Sequence, residues 1–104
     1  MIEICAQAIC DPHQGLEDLP CRLAVECPEA PALELIVALA SAADGVQAMF
    51  GDAGESGQRA AMVWRQAAMV GADLHYLALL ARPANTAADL LQLWRKEMPR
   101  TGAA

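Results

Sequence analysis

Residues 55–82, ESGQRAAMVWRQAAMVGADLHYLALLAR, decide how this chain folds. Ala60, Val63, Ala67, Val70, Leu74, Leu77 and Ala81 recur three and four apart, so they share one face of a helix. A second stripe, Trp64, Ala68, Gly71, His75 and Leu79, runs beside the first. Arg59, Gln66 and Asp73 are the main polar positions and are too few to wet what remains. A helix apolar over more than half its circumference needs cover from more than one direction. The mixed spacing of three and four suits helix-on-helix packing at a shallow angle.

Working outward, Gly51–Gly57 is a turn rich in glycine, with Ser56 expected to cap the long helix. Upstream of it, Pro31 to Met49 reads as a helix whose stripe is Leu35, Leu39, Ala42, Val46 and Met49, widened by Ile36, Ala43 and Phe50. Pro31 suits the first helical position because its missing amide hydrogen would be unpaired there. Asp44-Gly45 is a weak point that predicts a kink or an early end. So short a connection returns the second helix antiparallel to the first. Arg82-Pro83 closes the long helix, since proline restricts its predecessor and cannot continue the ladder. Thr86-Ala87-Ala88-Asp89 is a capping box with Asp in place of Glu, opening a helix through Leu90, Leu91, Leu93, Trp94 and Met98. Arg95 and Lys96 complement its dipole, Pro99 ends it, and Thr101–Ala104 form a loose tail.

The first thirty residues are harder. Met1–Ile9 reads either as a short strand or as a frayed helical turn. Asp11–Gly15 and Asp18–Pro20 carry turn signals, and Arg22–Glu26 alternates weakly, as an extended segment does. The expected fold is therefore all-α, a helical hairpin with a third C-terminal helix and an irregular or extended N-terminal segment. Its parts are an N-terminal segment 1–30, a helical domain 31–98 and a tail 99–104.

Hydrophobic residues make up 56% of the 104 and charged residues 19%, much of the apolar excess being alanine. That composition favours closely packed helices over a sandwich or barrel, which want more aromatic and β-branched content. The net charge of −6 is uneven: residues 1–55 hold ten acidic side chains and one basic, and residues 56–104 hold three acidic and six basic. An acidic domain is a poor partner for phosphate, so direct nucleic-acid binding is not expected. The start, Met1-Ile2-Glu3-Ile4, has an acid where a secretory leader has a basic region, and no uninterrupted apolar run approaches a membrane span. A cytoplasmic protein with reduced thiols is the expectation.

Cys5, Cys10, Cys21 and Cys27 are separated by four, ten and five residues, looser than the tight pairs of a structural zinc site. Thiols used partly as small buried hydrophobes are expected ahead of a disulfide or a metal. His75 has no nucleophile fixed beside it by sequence, so an interfacial or core histidine is expected. Asp73 and Glu97 are isolated carboxylates, and Gly51, Gly54 and Gly57 lack the strand and lysine of a phosphate loop. No catalytic residue, cofactor, metal or small-molecule substrate is expected.

The apolar helix faces say more. One broad side of 55–82 can be buried within the chain, yet Met62, Trp64, Met69, Tyr76 and Leu80 point in other directions. Met, Trp and Tyr are favoured at interface centres, and the expected protein interface comprises Trp64, Met69, Tyr76, Leu80 and Trp94. A homodimer or another protein would cover it, the alternative being an internal core wrapped by the N-terminal segment. Ala32–Ala43, Gly54–Ala60 and Val70–Leu74 together resemble small pseudomonad helical-hairpin proteins, quorum-sensing antiactivators of the QslA type among them. The resemblance covers about residues 32–81 and leaves out the four cysteines. It implies a dimer-forming, non-enzymatic antiactivator that binds a LuxR-type transcriptional regulator and keeps it from DNA. A structural or assembly subunit that completes a partner's helical bundle is the alternative.

Overall fold

The structure, a computed structural model, describes residues 1–96. Among them the chain forms five helices: α1 (Ile2–Cys10), α2 (Leu19–Glu26), α3 (Ala32–Phe50), α4 (Glu55–Leu79) and α5 (Ala87–Lys96). The fold is all-α, but the expected hairpin with one added helix and an irregular N-terminus is corrected. The N-terminal residues are two helices, and neither a strand nor an extended segment forms there. Cys5, Ala8 and Ile9 lie three or four apart and are buried together, which makes α1 a helix despite its nine residues. Pro20, expected to mark a turn, stands in the first turn of α2, where its missing amide costs nothing. Leu19, Leu23 and Ala24 are the buried side of α2, and α2 packs chiefly on α5.

α3 and α4 form the largest helix contact. Their direction is antiparallel. The Trp64 indole N–H donates to Gln47 Oε1 at 2.9 Å near the turn, and Gly71 faces Ile36 farther along. α3 touches all four other helices, so it is the centre of the molecule. It is also the described helix long and apolar enough to cross a membrane by length and composition. Asp44-Gly45 does not end α3, which continues to Phe50. Pro31 serves as its N-cap and not as its first residue.

Ser56 is not the cap of α4; Gly54 holds that place, and Ser56 lies inside the first turn. Gly57 is required there, because a Cβ would run into the backbone of Gly51 and Asp52. α4 ends at Leu79, before the expected Arg82, in a Schellman motif. The amide of Arg82 donates to Leu77 O and that of Ala81 to Ala78 O, with Ala81 at φ 55°. The sign at Thr86–Asp89 is a true one: Asp89 Oδ2 accepts from the amides of Thr86 and Asn85 at 3.1 and 2.9 Å. The next amides of α5, Ala87 and Ala88, donate to Ala30 O and Pro28 O, so the preceding loop satisfies the helix end. The expected extension of this helix to Met98, and the tail beyond Pro99, lie outside the described residues.

Candidate functional site

In a helix of 3.6 residues per turn, positions seven apart lie almost in line. The body of α4 can therefore be followed as seven rows. Rows 60/67/74 and 63/70/77 are core, buried except for half-buried Leu74. The row Arg59, Gln66, Asp73 also faces inward, contrary to the expectation that these residues would wet the helix. Arg59 donates through Nε to Ile9 O at 2.8 Å and through Nη2 to the carbonyls of Ala8, Asp11 and Gln14 at 2.7, 2.9 and 2.8 Å. A guanidinium thus closes the C-terminal end of α1, where carbonyls and helix dipole both call for a cation. Gln66 donates through Nε2 to Leu16 O. Asp73, 5% exposed, accepts the Trp94 indole N–H at 2.7 Å.

Of the other four rows, Trp64, Gly71 and Ala78 run along the α3 edge. The three that face out carry Ala61, Ala68 and His75; Arg65, Ala72 and Leu79; and Met62, Met69 and Tyr76. Arg65 is their one full charge. Met62, Met69 and Tyr76 are all exposed, Met69 by 47%, and lie on the far side of α4 from α3. Leu80, four residues after Tyr76 and just past the end of α4, is exposed as well. Beside Met69 is a notch of about 120 Å³ between Pro20 and Cys21 of α2 and Val70 of α4, with Trp94 in its wall. Gln66, also in that wall, has a buried carbonyl oxygen with no hydrogen-bond partner among the described residues. Such an atom gains when a donor enters.

Of the five expected interface residues, Met69 and Tyr76 share one exposed row, and Leu80 is exposed just past the helix end. Trp64 is half-exposed at the α3 edge of α4, away from that row. Trp94 is 2% exposed and belongs to the core, a correction to its expected surface role. Met62 was singled out by sequence as pointing outward, and does so. Leu33 and Val37 on α3 were missed, because counting toward one core hides apolar residues on the opposite side.

The remaining candidates are dispersed. His75 is exposed on the outer face of α4. None of the four cysteines is in a disulfide, and burial pushes the Cys5 thiol up to about 11. Among the described residues no group of three or more His, Cys, Asp or Glu could hold a metal. Glu97 lies outside the described residues. A larger groove of about 400 Å³ opens between α1, α2 and α5, with Arg22 and Arg95 in its wall. Arg22 is committed to Gln14 Oε1, Gly15 O and Asp18. Comparison with family models, with characterised proteins and with solved structures finds no match.

Proposed function

We propose that this chain is a non-enzymatic, cytoplasmic antiactivator that works by binding a transcriptional regulator. The observation that carries the reading is the row Met62, Met69 and Tyr76, with Leu80 just past the helix end, exposed beside a notch with an unsatisfied acceptor. A partner helix laid along this row would place apolar anchors on two methionines and a tyrosine, side chains that adapt and bury well. One anchor would enter the notch and supply a donor to Gln66, the pattern of an interface hot spot. The acidic balance of −6 supports a protein partner over DNA. The choice of a LuxR-type regulator comes from the resemblance of residues 32–81.

The test uses a purified LuxR-type regulator on its operator in a mobility-shift assay. Added wild-type protein should release the operator, and Met69→Asp should not, with melting curves of the two proteins superimposed. Direct, salt-sensitive binding of the isolated protein to DNA would refute the reading. Recovery of enzyme subunits alone from the native host would replace it with the assembly-subunit role.

A further inference from the structure

The groove of about 400 Å³ between α1, α2 and α5 takes no part in the reading above. Its apolar wall is Ile4 of α1, Val25 of α2 and Leu91 of α5. Its charged residues are Asp18, Arg22 and Glu26 on the α2 side and Arg95 on α5. Two contacts fix how these are laid out. The Ala88 amide at the start of α5 donates to Pro28 O, just past the end of α2. Trp94 shares the notch with Pro20 and Cys21, at the start of α2. α5 therefore runs antiparallel to α2. Arg95, next in sequence to Trp94, stands at the Asp18–Arg22 end of the groove, and Leu91, one turn earlier, stands toward Val25 and Glu26.

Both arginines have binding capacity left. Arg95 makes no hydrogen bond or ion pair among the described residues. Arg22 uses Nη1 and Nη2 on Gln14 Oε1 and Gly15 O, but its Nε is buried with no hydrogen-bond acceptor. Asp18 Oδ1 lies 3.5 Å from that nitrogen, close enough for an ion pair and outside hydrogen-bond geometry. A buried donor without an acceptor costs free energy that an incoming acceptor recovers.

We propose that this groove binds a small amphipathic carboxylate, an apolar chain with one anionic head, of the medium-chain fatty acid class. The head sits at the arginine end, and the chain lies over Val25, Leu91 and Ile4. Glu26 repels an anion from the other end, so the occupant has one orientation. Size agrees: from Asp18 to Glu26 the α2 segment rises about 12 Å, near the length of an extended ten-carbon chain. The volume falls in the usual range for small-ligand sites, roughly 300–1,000 Å³. Three apolar side chains are too few for a partner helix, whose anchors recur over two turns or more. The inference does not rest on the proposed regulator, since Met69 is not in the wall of this groove.

Isothermal titration calorimetry of the full chain with sodium decanoate, kept below its micelle concentration, decides it. Wild type should bind one decanoate saturably, and Met69→Asp should bind it equally well. Decanol, with the same chain and no charge, should bind about tenfold more weakly or worse, the effect of losing a charge-assisted hydrogen bond. Arg95 is exposed, so Arg95→Ala leaves the core intact. That variant should weaken decanoate by about the same factor and leave decanol unchanged. No saturable binding to wild type, equal affinity for decanol, or an Arg95→Ala variant as tight as wild type would each overturn the proposal. If decanoate failed to bind and Arg95→Ala lost operator release, the groove would belong to the protein partner instead.

Discussion

Two rows on α4 have the same seven-residue spacing and opposite fates. Arg59, Gln66 and Asp73 are polar and turned inward; Met62, Met69 and Tyr76 are mostly apolar and turned outward. Hydropathy alone would exchange them. What decides between them is the neighbourhood. α1, the loop after it and α5 present backbone carbonyls and an indole N–H to one side of α4, and only polar side chains can answer these. The three polar residues act as pegs that fix the N-terminal helices and α5 onto the hairpin. The outward row stands half in solvent, with Met69 at the mouth of the notch beside α2. Polarity thus reports where hydrogen bonds must be made, and exposed hydrophobicity reports where something else must bind.

The comparison breaks most visibly at Arg59. Arg59→Ala leaves four carbonyls of the α1 end without their donor and should cost about 3 kcal/mol in urea unfolding. Arg59→Lys should recover less than half of that, because an ammonium lacks the planar fork. Next in size, Asp73→Ala strands the buried Trp94 N–H and should cost about 2 kcal/mol. Asp73→Asn keeps an acceptor and should cost distinctly less, with tryptophan fluorescence reporting whether the indole stays in place.

On the outward row the same experiment should give almost nothing. Met69→Asp is expected to change stability by less than about 0.5 kcal/mol, since Met69 is about half exposed and lies outside the buried core. A large loss would mean that the row is core, and would undo the contrast between the two rows. The smallest effect concerns the loop that Arg59 holds. The backbone amide of His13, donating to Asp11 Oδ1 at 3.0 Å, holds the Asp11 carboxyl below its ordinary 3.8. A depressed carboxylate favours folding above the unfolded value, and that contribution disappears as pH falls through the folded value. Asp11→Asn should therefore lower stability slightly at neutral pH, leave it unchanged in strong acid, and so flatten the acid limb of the stability curve.

The hairpin and α5 were legible because their signals are local: periodic apolar residues, Pro83, and the Thr86–Asp89 box. α1 and α2 were not, since eight- and nine-residue helices offer barely two turns of period and are stabilised by contacts far away in sequence. Pro20 and the Asp11–Gly15 turn looked like breaks in structure when they are the joints between helices. The cap and the C-terminal end of α4 were misplaced for related reasons, though its start at Glu55 was not. Gly54 caps it where Ser56 looked better, and Ala81 adopts a left-handed conformation usually left to glycine. The exposed residues Met69, Tyr76 and Leu80 were legible as surplus to one core. The inward role of Arg59, Gln66 and Asp73 was not, because no spacing rule announces which carbonyls will lie opposite.

The clasp on α1 also sets an order of events during synthesis. Ile9 and its acceptor carbonyl precede Arg59 by 50 residues. At about 5–20 residues per second, α1 leaves the ribosome several seconds before the guanidinium that closes it. A nascent chain that stops within the α3–α4 turn has every residue of α1 and none of its fastening. The N-terminal helix is therefore made first and finished last, and its protection from proteolysis should arise in a single step once Arg59 has emerged.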